Sequence, residues 1–265
     1  MRAIVLAAGR GGRLRGVTGT LPKCLARIGS CTLLERQLST LRACGIEAVT
    51  IVAGYRAHDI GRVCGPGVEL VQNVRFASTN SLYSLWVARD LLADGFVVLN
   101  SDVLFPQQLL EDLLTARYDD ALLVAARGDG EYSDEEMKVQ IRAGRIAAIS
   151  KSIDPAEADG ENIGVGKFGP AGAAVLVEEM NRLVAGGAVR EWLPAAFGAF
   201  CQRRPLWAVE SRGYPWIEID FPEDYWRACG EIWPAIDALD NPRSDAPIVA
   251  RDATTGVTRR TLHHV

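Results

Sequence analysis

The sequence predicts an α/β fold, a doubly wound and mostly parallel sheet flanked by helices. Three observations lead there. Strand-like and helix-like stretches alternate through the first 126 residues, as in successive βα units. One strand-like stretch, FVVLNSD (96–102), is near-continuously apolar, as a central parallel strand is. The first strand-like stretch runs into a glycine-rich loop, LAAGRGGRLRG over 6–16, and loops of that kind bring backbone close to phosphates.

RAIVLAA (2–8) is a strand by its unbroken apolar run. CTLLERQLSTLRAC (31–44) sets apolar residues at helical spacing, with Gly45 as the stop. AVTIVAGY (48–55) is the next strand, followed by a short helix near 57–63 and the strand VELVQN (68–73). TNSLYSLWVARDLL (79–92) predicts a helix capped by Asn80 or Ser81, with Leu82, Leu85, Trp86 and Arg89 on one face. FVVLNSD (96–102) suits a central strand, PQQLLEDLLTA (106–116) a helix with proline in its first turn, and ALLVAA (121–126) a fifth strand. The pattern then changes to a small β-rich insertion. MKVQIRAGRIAAIS (137–150) predicts a hairpin turning at Ala143-Gly144. Residues 170–185 and 189–202 predict helices, PLWAVE (205–210) and PWIEID (215–220) strands, and FPEDYWRACGEIWPAI (221–236) a closing helix. Residues 1–238 read as one domain. Residues 239–265 turn polar and lose periodicity, which predicts a tail or a segment that docks on a partner.

Composition narrows the chemistry. Of 265 residues, 48% are hydrophobic, enough for a sizeable core. The net charge of −4 argues against a general nucleic-acid or membrane-surface binder. No apolar run approaches the roughly 18 residues of a membrane span, and MRAIVLAAG lacks a leader's cleavage pattern, so a cytoplasmic location is expected. The six cysteines form no C-x-x-C and are expected to be reduced thiols. The three histidines are His58, His263 and His264, which argues against a Ser-His-Asp triad or a multi-histidine zinc site. Of the 29 basic residues, four are lysines: Lys23, Lys138, Lys151 and Lys167. In so arginine-rich a chain, a retained lysine marks a place where a compact ammonium suits and a planar fork does not.

The loop carries Arg10, Arg13 and Arg15 and closes on Pro22-Lys23. Dense positive charge beside open backbone is chemistry for a polyphosphate; the plainer reading is a tight loop without a ligand. It is not a P-loop, because G-x-x-x-x-G-K-[ST] does not occur. It is not a dinucleotide loop either. Gly9 and Gly11 begin G-x-G-x-x-G, but Leu14 takes the third position, and the second strand ends Ala53-Gly54-Tyr55 without an acid for a ribose. Strand, L-A-A-G-x-G-x-R-L and a closing Pro-Lys instead resemble the signature loop of nucleotidyltransferases acting on phosphorylated sugars and alcohols. Gly9, Gly11, Arg13, Leu14, Pro22 and Lys23 match. Gly12 stands where that family has Ser or Thr, and Gly16 where it has Pro, so the phosphate grip falls on backbone N–H groups and Arg13. NVRFASTNSLYSLWVAR (73–89), GRIAAISKSI (144–153) with GENIGVGKF (160–168), and IEIDFPEDYWRA (217–228) carry the resemblance further. In these stretches the chain is most similar to cytidylyltransferases of phosphocholine and of related small phosphorylated or phosphonate alcohols. The similarity covers about residues 1–236. It implies a Rossmann-like sheet of the nucleotide-diphospho-sugar transferase kind.

Asp102 ends an apolar strand, where open sheets meet ligands; its plainer reading is a turn cap. Glu218 and Asp220 alternate with Ile217, Ile219 and Phe221, which puts both carboxylates on one strand face. The plainer reading of Asp220 is a cap for the helix begun near Pro222. The resemblance implies that Asp102 and Asp220 hold Mg²⁺, a cation typically bound by one or two carboxylates plus substrate phosphates, with Glu218 beside them. It implies catalytic roles for Lys23, Arg13 and Asp102, with Lys23 bridging the α-phosphoryl group of CTP and the acceptor. Arg13 and the N–H groups of Gly9, Gly11 and Gly12 would hold the outer phosphates. The base would lie against Leu6, Ala7, Ala8 and the turn around Asn73, Thr79, Asn80 and Ser81. Lys151 and Lys167 fall in the acceptor-side stretches, and Tyr83 and Trp216, with Trp192 and Tyr214, are the aromatics available to a choline-like group. The expected partners are CTP and a small anionic acceptor, with a homodimer left open. The residues themselves do not separate CTP from UTP or name the acceptor. Two rivals stand beside this reading. One is a sugar-1-phosphate nucleotidyltransferase using UTP or dTTP. The other is a catalytically silent nucleotide-binding regulatory subunit, against which intact Lys23, Asp102 and Asp220 count.

Overall fold

The computed structural model describes residues 1–126 and 132–241. In chain order, the first half contains β1 (Arg2–Ala7), α1 (Arg15–Thr18), β2 (Arg27–Ile28), β3 (Cys31–Thr32), α2 (Leu33–Ala43), β4 (Val49–Ala53), α3 (Ala57–Cys64), β5 (Val68–Gln72), α4 (Ser81–Val87), β6 (Phe96–Asn100), β7 (Val103–Leu104) and α5 (Gln107–Thr115). The second half contains β8 (Ala121–Ala126), β9 (Lys138–Arg142), β10 (Arg145–Ser150), β11 (Gly160–Phe168), α6 (Pro170–Ala185), α7 (Pro194–Cys201), β12 (Trp207–Glu210), β13 (Ile217–Glu218), α8 (Pro222–Arg227) and α9 (Trp233–Asp240).

Nine strands form one sheet in the order β5-β4-β1-β6-β11-β8-β12-β10-β9. β5, β4, β1 and β6 pair in parallel, and so do β8 and β12. β11 runs antiparallel between β6 and β8, and β10 antiparallel to β12 and β9. Only β11 and β10 therefore oppose the common direction, and the mostly parallel doubly wound sheet is borne out. The insertion is the β9–β10 hairpin. β9 pairs with β11 at Gly160 and Glu161, and β10 meets β12 at Arg145, so the hairpin closes five strands into a ring. Its turn has positive φ at both Ala143 (51°) and Gly144 (76°), as a two-residue type I′ connection requires.

Side chains of successive strand residues point to opposite faces. Ala3, Val5 and Ala7 enter the core under α2 and α5, while Ile4 and Leu6 enter the core under α4, α6 and α7. A third core lies beneath the closing helix, around Leu14, Ile28, Leu104, Ile219 and Ile232.

Several boundaries differ from the sequence reading, each for a local reason. The first long helix begins at Leu33, because Thr32 and Glu35 form a reciprocal cap: the Glu35 amide donates to Thr32 Oγ1 (3.2 Å) and the Thr32 amide to Glu35 Oε2 (2.7 Å). Asn80 is the cap of α4, its Oδ1 accepting from the Ser81 amide at 2.9 Å. That helix stops at Val87 and tightens into a 3₁₀ turn over Arg89–Leu91. Pro106 is the extended residue before α5, not its first turn. Of 189–202 only Pro194–Cys201 is helical. PWIEID contributes two strand residues, Ile217–Glu218, which pair with β7. The closing helix runs on through a π-helical turn over Ala228–Ile232 to Asp240. Residues 242–265, nearly all of the segment read as a tail, lie outside the described residues, as do His263 and His264. Among the described residues no helix is long and apolar enough to cross a membrane.

Candidate active site

A cleft of about 310 Å³ opens beyond the carboxyl ends of β1 and β6, the place where open α/β sheets collect ligands. The glycine-rich loop forms one wall. Gly11 sits in the left-handed region (φ 58°), and a Cβ there would fall 2.6 Å from Lys23 Cβ. Glycine thus lets the two ends of the loop meet. Leu14, fully buried in the third core, pins the loop down and leaves Arg13 facing the cleft. Cys24 and Leu25 are buried in the core beneath α2 and fix the turn that carries Lys23.

The opposite side is assembled from segments distant in sequence. The β7–β13 pairing and a hydrogen bond from the Ile219 amide to the Asp102 carbonyl (3.0 Å) hold 102–104 against 217–219. Asp102, Glu218 and Asp220 consequently present oxygens within 4.8 Å of one another. Asp220 does not cap the following helix. Asp224 does that, its Oδ2 accepting from the Asp220 amide (2.9 Å) and the Phe221 amide (2.8 Å), which leaves the Asp220 carboxylate to the cleft. Asp102 is no turn cap either. Its Oδ2 lies 2.6 Å from Lys23 Nζ, and its Oδ1 is buried without a hydrogen-bond partner.

Lys23 Nζ also lies 2.5 Å from Asp220 Oδ1. Burial disfavours its charge, but the Asp102 and Asp220 carboxylates outweigh burial and hold the ammonium above its ordinary range. Asp220 is likewise opposed by burial yet held below the usual carboxylate range by Lys23 and Arg13. Glu218 opens to the cleft but lies deep within it. Desolvation, then Asp102 and Asp220, push its carboxyl up to about 8. Three hard-oxygen carboxylates cluster here; two of them share one ammonium, and one of those two has an oxygen buried and unbonded. That donor set, Asp102, Glu218 and Asp220, suits a hard divalent cation completed by substrate oxygens.

The ion pairs continue away from this cluster. Arg13 reaches Asp220 Oδ2 (3.7 Å) and Glu135 Oε2 (3.2 Å), and Lys151 Nζ lies 3.3 Å from the same Glu135 oxygen. Residues 3–217 match the model of the MobA-like NTP transferase domain. The chain belongs to the MobA-like NTP transferase family. It is a nucleotidyltransferase.

Relatives of this nucleotidyltransferase agree on the class. It is 32% identical over 183 residues to choline-phosphate cytidylyltransferase of Streptococcus pneumoniae, covering 61% of this chain and 79% of that one. It is 30% identical over 226 residues to the bifunctional IPC transferase and DIPP synthase of Rubrobacter xylanophilus, covering 84% of this chain but only half of that protein. A shorter match, 32% over 95 residues, joins it to 2-aminoethylphosphonate cytidylyltransferase of Lancefieldella rimae, covering 35% and 39% of the two chains. Among solved structures, CTP:phosphocholine cytidylyltransferase of S. pneumoniae superposes with a TM-score of 0.73 at 24% identity, covering 85% of this chain and 96% of that one. The inositol-1-phosphate CTP transferase from T. maritima superposes with a TM-score of 0.74 at 24%, covering 89% and 96%. At that identity both speak for the shared fold.

Most residues expected at the nucleotidyltransferase site line the cleft: Leu6, Ala7, Ala8, Gly9, Gly11, Gly12, Arg13, Lys23, Thr79, Asn80, Ser81, Asp102, Lys151 and Asp220. Asn73 stands one layer behind, buried, its Nδ2 donating to Thr79 Oγ1 (3.0 Å) and Ser84 Oγ (3.1 Å). Three expectations for the acceptor are corrected. Lys167 pairs with Val97 near the start of β6, and its ammonium donates to the Leu114 and Ala116 carbonyls (3.1 and 2.8 Å), away from the cleft. Tyr83 turns its ring onto Trp86 beneath Arg75, and Trp216, with Tyr214, packs against the core beneath α2 and α5. Sequence reasoning missed Glu135, Met137 and Asn162, which also line the cleft. Asn162 lies inside the GENIGVGKF stretch and Met137 opens the hairpin segment, but neither stretch shows which of its residues faces the cleft, and no motif marks Glu135; the ring closure of the hairpin brings them there.

Proposed function

We propose that the protein transfers CMP from CTP to a small phosphorylated or phosphonate alcohol and releases pyrophosphate, with Mg²⁺ on Asp102 and Asp220. The observation that carries this is the meeting of Lys23, Asp102 and Asp220 beside a glycine-rich loop. A phosphate or phosphonate oxygen of the acceptor attacks the α-phosphorus. The new P–O bond forms as the bond to the β-phosphate oxygen breaks, and pyrophosphate carries the electron pair away. The nucleophile is already anionic near neutral pH, so the site needs no general base, in keeping with a lining that holds no histidine among the described residues. The bound cation supplies charge neutralisation where two oxyanions approach. Lys23 turns its ammonium from the carboxylates to the α-phosphoryl group, and Arg13 with the loop amides holds the departing phosphates. Support for cytosine comes from the names of the relatives.

The test is a matrix of CTP, UTP, dTTP and ATP against phosphocholine, alkylphosphonates, polyol phosphates and sugar 1-phosphates, with Mg²⁺ or with chelator, read by pyrophosphate release. Turnover confined to CTP with a phospho- or phosphono-alcohol, and lost with chelator, is expected. Turnover confined to UTP or dTTP with a sugar 1-phosphate refutes the proposal.

A further inference from the structure

Alternating charges run through the cleft from Asp102 by way of Lys23, Asp220, Arg13 and Glu135 to Lys151, with successive separations between 2.5 and 3.7 Å. The row ends on a cation. Lys151 Nζ stands 5.5 Å over the ring of Trp192, which is 46% exposed and lines the same cleft. Two consequences follow for the far end of an acceptor. The aromatic face that would attract an ammonium already faces one. The nearest acid, Glu135, is shared by two cations. Of the other aromatics a quaternary-ammonium cage would recruit, Tyr83 and Trp216 lie outside the cleft lining, Phe76 already carries the Arg10 guanidinium (5.6 Å), and Phe197 is buried against Phe168.

We infer, on the reading of the activity given above, that the acceptor is a phosphate or phosphonate whose tail is uncharged and hydroxylated, and that Lys151 over Trp192 is the device that rejects cationic tails. The methylenes of such a tail lie against the indole, and its hydroxyl accepts from the ammonium, which a cationic tail cannot do. An ammonium brought there meets like charge in a partly desolvated cleft, where repulsion is least screened.

The deciding comparison uses the near-isosteric pair 2-hydroxyethylphosphonate and 2-aminoethylphosphonate, with phosphocholine as a third acceptor, each at saturating CTP. In the wild-type protein kcat/KM favours the hydroxyl compound over the amine by at least about tenfold, with phosphocholine no better than the amine. Lys151→Met narrows that ratio severalfold, whatever it does to absolute rates, and Glu135→Gln widens it. A wild-type ratio near one, a preference for either cation, or a ratio unmoved by Lys151→Met overturns the inference while leaving the cytidylyltransferase reading intact. If none of the three accepts CMP but a sugar 1-phosphate reacts with UTP or dTTP, the reading of the activity itself falls. Silence with every pair overturns both.

Discussion

Lys23 is held by two carboxylates that a divalent cation would also claim, so the ammonium and the metal act on one charge balance. The role proposed for it suits its shape. A compact ammonium can pivot between the carboxylates and a phosphoryl oxygen, whereas a guanidinium fork demands a planar partner and more room. Lys23→Ala and Asp102→Ala should each lower kcat by about 10²–10³, the range for loss of one preorganised charge-stabilising group, and Lys23→Arg should not restore it. Pyrophosphate release under saturating substrate checks this, and near-wild-type turnover in either alanine variant refutes the assignment. Lys23 and Asp102 were legible as residues, the first from the Pro-Lys closure of the loop and the second from its place after an apolar strand. Glu135 was not, since nothing in its neighbourhood distinguishes it from any surface acid. Lys167 misled because the stretch that resembles the acceptor side forms an interior strand whose far end points away.

At the scale of elements, the central parallel strands β1, β4, β6 and β8 were visible as apolar runs, because burial on both faces leaves little room for polar residues. β11 was harder to place. Its residues Gly160–Phe168 lie centrally between β6 and β8, yet the sequence carries no sign of direction, and antiparallel insertion depends on long-range pairing. The short β13 was overread for the opposite reason: alternation continues through Asp220, but pairing ends at Glu218. β11 also bears a pH-sensitive group. Desolvation and the neighbouring Glu136, opposed by Lys138, push the Glu161 carboxyl up to about 7. The folded protein keeps a proton there that the unfolded chain releases near 4.5. Stability therefore falls as pH rises from about 4.5 to about 7, and this loss is complete above that window. Glu161→Gln keeps the protonated geometry and removes the titration. Its melting temperature relative to wild type should rise between about pH 5 and about pH 8; a difference independent of pH contradicts the account.

Across the whole molecule, the cleft occupies one end of the sheet and a separate polar anchor occupies the other. Asp120, 3% exposed at the entrance to β8, accepts from the Gly169 amide (3.1 Å) through Oδ1 and pairs with Arg204 Nε through Oδ2. It thereby ties β8, the start of α6 and the segment entering β12. Gly172 makes room for it, since a Cβ there would fall 1.8 Å from Asp120 Oδ1. Replacing Asp120 by Ala leaves a buried amide without its acceptor and a guanidinium without its carboxylate. Because Arg204 keeps contact with water, the cost falls below that of a fully buried pair and near that of one buried polar group left unpaired, about 2 kcal/mol. For a domain of this size that lowers the melting temperature by roughly 4–8 °C. The anchor lies at the amino end of β8, none of whose residues lines the cleft, so kcat measured well below the transition should stay within about twofold of wild type, the expectation for distant and independent sites. Thermal melts paired with turnover at 25 °C on one preparation decide it. A loss of kcat comparable to that of Lys23→Ala would mean that the two ends of the sheet are coupled and that the cleft depends on the anchor for its shape.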